Sequence, residues 1–116
     1  MEWLEDSLCK GKHVDLWFPP SDLPKSLHSA FYDVAKLVCD QCPVRLDCKK
    51  LGAKEEFGMW GGLTPNDRRR GSPYSPPKRT LTHKQIETLI PKHNRAVTLD
   101  IKPLRTSILA AASRKK

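Results

Sequence analysis

Apolar residues at Leu27, Ala30, Phe31, Val34, Ala35 and Val38 recur at three-and-four spacing. That is the period of one helical face, and it predicts a helix from about Leu27 to Val38. Ser26, just after Pro24, is the expected N-cap. Phe31 and Tyr32 belong to the core or its edge. The pattern stops at Cys39-Asp40-Gln41-Cys42. Pro43 suits the first turn of a second helix through about Ala53, with Val44, Leu46 and Leu51 inward and Cys48 on the helix. Upstream, Trp3–Leu8 reads as a short helix leading into Cys9. Asp15-Leu16-Trp17-Phe18-Pro19-Pro20 reads as an extended or turn segment, because two prolines cannot continue a helix.

Downstream, Gly58-Met59-Trp60-Gly61-Gly62 is a turn, its paired glycines permitting positive φ. Thr64-Pro65-Asn66-Asp67 is a helix start, and Arg68-Arg69-Arg70 lies on or just past that short helix. Residues 71–80 are a linker by composition. Thr82 to Ile90 predicts a helix with Thr82 and Gln85 in capping-box spacing, stopped by Pro91. Leu104 to Ala112 is a weaker helical stretch. The fold class expected is small and all-α: about four short helices, one glycine–tryptophan turn, and a basic, partly disordered C-terminal region.

Charge sharpens this division. The chain has 116 residues, 38% of them hydrophobic, with ten prolines. Residues 1–65 hold 8 Lys/Arg against 10 Asp/Glu, a net −2, whereas residues 66–116 hold 13 against 3, a net +10. All four cysteines and every aromatic except Tyr74 lie in the first part. The reading is a head over residues 1–70, a Pro-rich linker over 71–80 and a basic region over 81–116. Nucleic acid is the usual target of such a basic stretch. With one aromatic available, stacking on single strands is weak. Arg68, Arg69, Arg70, Lys78, Arg79, Arg114, Lys115 and Lys116 are expected to contact phosphates, which gives affinity and salt dependence rather than sequence choice.

Several function classes fall away. No run approaches the ~20 apolar residues of a membrane span. The acidic start Met1-Glu2-Trp3-Leu4-Glu5-Asp6 does not read as a signal peptide. A cytoplasmic protein is therefore expected, with no membrane and no small-molecule substrate. His13, His28, His83 and His93 are scattered and read as surface residues. No nucleophile–base set or carboxylate pair has catalytic context, so the chain does not read as an enzyme.

The cysteines carry the candidate chemistry. Cys9 is followed, after 29 intervening residues, by Cys39-x2-Cys42-x5-Cys48. Four thiolates meeting at one point form a soft site for zinc or an iron–sulfur cluster, and metal binding adds free energy to the folding of a small head. Two disulfides are the next reading, disfavoured in a reducing compartment. A Cys39–Cys42 redox pair needs a βαβ context that the helical pattern lacks. Spacing alone leaves zinc and iron level. Trp3, Trp17, Phe18 and Trp60 form no helical stripe, and such aromatic side chains either anchor a partner or wall off the metal centre.

These features together resemble the WhiB-like proteins, small iron–sulfur transcription factors of actinobacteria and their phages. The resemblance rests on the four cysteines, on Asp15-Leu16-Trp17-Phe18-Pro19 after the first, and on Gly58-Met59-Trp60-Gly61-Gly62-Leu63-Thr64 running into Arg68-Arg69-Arg70. It spans about residues 3–70. It implies that Cys9, Cys39, Cys42 and Cys48 hold a redox-sensitive [4Fe–4S] cluster, with zinc as the alternative. It further implies docking on the C-terminal region of the primary sigma factor of RNA polymerase, through Trp60 in its turn of Gly58, Gly61 and Gly62, with Trp3, Trp17 and Phe18 beside the cluster. The basic region would then reach promoter DNA on the nucleoid. The alternatives are a zinc-stabilised DNA-binding module and a disulfide reductase formed after cluster loss. The chain departs from the family pattern at Met59, usually β-branched, and at Trp17, commonly phenylalanine. Arg70-Gly71-Ser72-Pro73 also lacks the second arginine of an Arg-Gly-Arg-Pro minor-groove hook.

Overall fold

A computed structural model describes residues 7–77, 80–92 and 99–113. Trp3, Lys78, Arg79, His93, Arg114, Lys115 and Lys116 lie outside the described residues. So does most of the helix expected over Trp3–Leu8, and Ser7 and Leu8 are not helical.

Among the described residues, five α-helices follow a 3-10 turn at Val14–Leu16: α1 Lys25–Asp40, α2 Arg45–Leu51, α3 Pro65–Arg70, α4 His83–Leu89 and α5 Ile101–Ser113. Among the described residues there is no strand, only isolated bridges joining Lys12 to Lys92 and Trp60 to Leu63. No described helix is long and apolar enough to cross a membrane.

Helix α1 is the centre of the fold. It buries Phe31, Val34, Ala35, Leu37, Val38 and Cys39, the face its apolar spacing marks out, with Tyr32 half-buried at the edge. Its N-cap is Pro24 rather than Ser26, with no side-chain cap. The Pro24 carbonyl accepts from the Leu27 and His28 amides, so proline's fixed φ sets the entry and Ser26 falls inside the first turn. Helix α2 starts at Arg45, two residues past Pro43. Val44 is buried, but Leu46 is 61% and Leu51 38% exposed. A seven-residue helix has room for one inward face, and here Arg45 and Cys48 occupy it.

Helices α3 and α4 begin as the sequence predicts. Thr64 and Asp67 exchange bonds of 3.1 Å each way, with Pro65 in the first turn. Thr82 and Gln85 do the same at 3.1 and 2.9 Å. Both are capping boxes, each satisfying two amides that a helix start leaves without partners.

The core does not stop with the cysteine-rich part. Leu81, Ile86, Ile90, Ile101 and Ile108 are buried in the same cluster as Leu16, Phe31 and Val34. Charge counting hides this, because Lys84, Glu87 and Lys102 face solvent while the isoleucines face in. Helix α5 packs on α1. It starts at Ile101, three residues before the expected Leu104, with Pro103 in its first turn, where the missing amide costs nothing. Arg105 donates twice to Asp33 Oδ2 across this contact, at 3.1 and 2.8 Å. Both side chains are about half exposed, so the pair adds little beside the apolar packing. Ile108→Ala is expected to cost about 3 kcal/mol, read as a lower urea midpoint at unchanged slope. A midpoint equal to wild type would place α5 outside the cooperative core.

Two histidines differ from expectation. His13 is 4% exposed; its amide donates to the Pro91 carbonyl and its Nδ1 accepts from the Asp15 amide. His28 is half-buried, its Nε2 lying 2.8 Å from the Pro20 carbonyl oxygen. His83 is exposed, as expected.

Candidate metal centre

Four segments deliver the thiols. Cys9 sits in a turn closed by the Lys12 amide on the Cys9 carbonyl at 3.0 Å. That turn is tied to the chain after α4 by the Lys12–Lys92 bridge and the His13–Pro91 bond. Cys39 ends the buried face of α1. Cys42 lies in the corner after it, its amide on the Cys39 carbonyl at 3.0 Å. Cys48 lies within α2. All four are free thiols, and all four line one cavity of about 230 Å³.

Burial holds the proton on three of these thiols. It raises Cys39 to about 12, the Trp17 bond opposing the shift and the other three cysteines adding to it. Burial likewise raises Cys9 and Cys48. Thiols packed this way give up their protons only to a cationic centre. Two N–H donors already aim at sulfur: Trp17 Nε1 at Cys39 Sγ, 3.3 Å, and the Gly61 amide at Cys48 Sγ, 3.2 Å. Such bonds tune and orient a metal's thiolate ligands.

A single zinc ion at ~2.3 Å from each sulfur would draw the four sulfurs to roughly 3.8 Å of one another. Among the described residues no group of three or more His, Cys, Asp or Glu is arranged to hold one ion. Four thiols lining one cavity are the donor set of a soft metal centre, a zinc ion or an iron–sulfur cluster.

Aromatics rim the same cavity. Trp60 Nε1 donates to the Phe57 carbonyl at 3.0 Å, and its ring meets Phe18 edge-on at 6.0 Å between centroids. The turn holding it is tight: Trp60 and Leu63 exchange backbone bonds of 3.1 and 3.0 Å. Gly61 and Gly62 take φ of 61° and 83°, strained values for any other residue. A Cβ on Gly52 would collide with the Trp60 ring, and one on Gly58 with Phe18. Phe18 is 43% exposed, whereas Trp17 is 6% exposed and belongs to the wall of the cavity. Met59 is buried, its amide on the Trp17 carbonyl at 2.9 Å.

Phe57 escapes a reading of the sequence. At 75% exposure it is the most open large apolar residue described. Its position directly before Gly58 is the one signal that could have marked it.

Arg68 has a role within the head. Its guanidinium donates to the carbonyls of Leu63 at 2.8 Å, Glu55 at 2.9 and 3.3 Å, and Phe57 at 3.4 Å. It braces the loop under Trp60. Arg69 and Arg70 are exposed, Arg69 donating to Asn66 Oδ1 at 3.0 Å. Arg68→Ala is expected to cost about 2 kcal/mol, the scale of several charge-assisted bonds removed together, measured by thermal or urea unfolding. Unchanged stability would mean that the loop holds itself.

The model of the WhiB transcription factor family matches residues 3–70, more than half of the chain. The chain belongs to the WhiB family. Among relatives in this family, transcriptional regulator WhiD of Streptomyces coelicolor is 38% identical over 69 residues, covering 58% of this chain and 62% of WhiD. Transcriptional regulator WhiB1 of Mycobacterium tuberculosis is 34% identical over 71 residues, covering 60% and 82%. WhiB4 of the same organism is 33% identical over 69 residues, covering 58% and 52%. The WhiB-family match thus holds every cysteine and the Trp60 turn, and leaves residues 71–116, with α4 and α5, outside it.

Proposed function

We propose that Cys9, Cys39, Cys42 and Cys48 hold a [4Fe–4S] cluster in this WhiB-family transcriptional regulator. We further propose that the aromatic rim docks on the C-terminal region of the primary sigma factor, and that basic residues of the C-terminal part contact promoter DNA in the cytoplasm. The observation that carries this is the convergence of four buried or half-buried thiols on one apolar-walled cavity whose rim is Phe18 and Trp60. Bound there, the cluster would supply a redox-sensitive centre whose positive core offsets part of the charge of the four thiolates. The residues do the rest. Trp17 and the Gly61 amide donate to sulfur, Met59 and Trp17 exclude water, and Arg68 stiffens the loop that presents Trp60. Rigid aromatics on a braced turn are efficient anchors, since little side-chain entropy is given up on docking.

A zinc module would use the same four thiols, and the metal and sulfide content of the purified protein separates it from a cluster. A Cys39–Cys42 redox couple fits less well: Cys39 is enclosed and its thiol is raised to about 12, the opposite of an activated nucleophile. For DNA, Arg69 and Arg70 are the exposed pair. Neutralising both should lower the salt slope by about 0.9 for each phosphate they neutralise in the wild-type complex.

The test is anaerobic co-expression with a sigma C-terminal domain. A brown co-purified complex containing iron and sulfide supports the reading. A colourless chain that leaves the sigma domain behind refutes it.

A further inference from the structure

Tyr74 lies beyond the family match, in the Pro-rich stretch that reads as a linker. Its surroundings are not those of a linker residue. The phenol donates to Asp40 Oδ1 at 2.6 Å. The Arg45 guanidinium lies 3.7 Å from the ring centroid and the Lys36 ammonium 5.8 Å from it, both in cation–π range. The ring also fills the space beside Gly62, where a Cβ would stand 2.6 Å from Tyr74 Cε1. Burial and the Asp40 carboxylate both push the phenol well above its usual range, so the donor proton stays in place.

Each partner is one step from the thiol cavity. Asp40 lies between Cys39 and Cys42. Arg45 lines the cavity and donates to the Gly61 carbonyl at 3.1 Å, and the amide of the same Gly61 bonds Cys48 Sγ. The segment is pinned on both sides of Tyr74. The Ser72 amide donates to the Asp67 carbonyl at 2.9 Å, and Leu81 is buried ahead of α4.

We propose that Tyr74 is a positioning residue. It latches the segment leaving the cysteine-bearing head onto the outer wall of the thiol cavity, aims the basic stretch that follows, and lets go when the cavity loses its occupant. The latch itself rests on the contacts of Tyr74. Only its release rests on the cluster reading. Asp40, Arg45 and Gly62 hold their places because α1, α2 and the Trp60 turn converge on shared thiolates. Without a shared centre those three elements lose their common anchor, and the ring loses its seat.

The test is tryptic cleavage of the full-length chain at Lys78 and Arg79, followed by mass spectrometry, with cleavage at Lys84 in α4 and Arg105 in α5 as internal controls. Tyr74→Phe keeps the ring and removes only the bond to Asp40. It is expected to speed cleavage at 78–79 roughly tenfold, the scale of one charge-assisted hydrogen bond, with control sites and iron content unchanged. Tyr74→Leu is expected to cleave faster still. Wild type stripped of its cluster should match Tyr74→Leu. Wild-type cleavage in both variants overturns the latch. Equal acceleration at every site also overturns it, since Tyr74 would then serve general stability. Acceleration in the variants but none in stripped wild type overturns the release step alone. A chain that never takes up iron refutes the cluster reading, yet the variant comparison still decides the latch.

Discussion

Cys9→Ser is expected to reduce iron retention by more than about 100-fold, beyond the 10–100-fold typical of removing an outer-shell partner, and to abolish sigma capture with it. Cys9 is the thiol farthest in sequence from the others, yet it lines the same cavity as Cys39, Cys42 and Cys48. It is held there from outside, by the Lys12–Lys92 bridge and the His13 amide on the Pro91 carbonyl. Those bonds survive the substitution. The serine hydroxyl therefore stays in position and fails only as a ligand, being far harder than thiolate. Iron analysis and visible absorbance after anaerobic purification measure the effect. Full iron content in the serine variant would show that three thiols suffice.

Trp60→Ala is expected to weaken sigma capture about 100-fold or more while the cluster stays, because a central tryptophan anchor is worth roughly 2–4 kcal/mol. The Trp60 side chain touches Phe18 and the Phe57 carbonyl, and it is the Gly61 amide, not the indole, that bonds Cys48. A second variant separates the presence of the ring from its orientation. Gly52 faces the Trp60 ring and has an ordinary negative φ. Gly52→Ala therefore strains no dihedral at residue 52 but sets its Cβ against Trp60 Cβ and Cγ, so it displaces the indole together with the root of its turn. Weaker capture with intact cluster in both variants, measured by titration with a sigma domain, assigns the effect to the docking surface. Loss of iron in Trp60→Ala would make the ring a wall of the cavity instead.

Local rules make part of this molecule legible from its residues. The apolar face of α1, the capping boxes at Thr64 and Thr82, and the stop at Pro91 all depend on neighbours within four positions. The grouping of Cys39, Cys42 and Cys48 follows from a helix end, a corner and a second helix. What escapes depends on distant partners. Arg68 looks like one of three equivalent arginines until the Glu55, Phe57 and Leu63 carbonyls fold over it. His13 looks like a surface residue until Pro91 arrives beside it. Leu46 and Leu51 look like core residues, but the cysteine site takes the inward face of α2. The isoleucines of α4 and α5 are masked by their basic neighbours, and only packing on α1 reveals them as core. Tyr74 carries no sequence signal for its seat, since Asp40 and Arg45 lie about thirty residues away along the chain.

Iron and acid-labile sulfide per chain, determined on wild-type protein purified without oxygen, test the four-thiol centre most directly. The proposed [4Fe–4S] centre predicts about four of each, in the stoichiometry of a cubane cluster. One zinc per chain with no sulfide would contradict it.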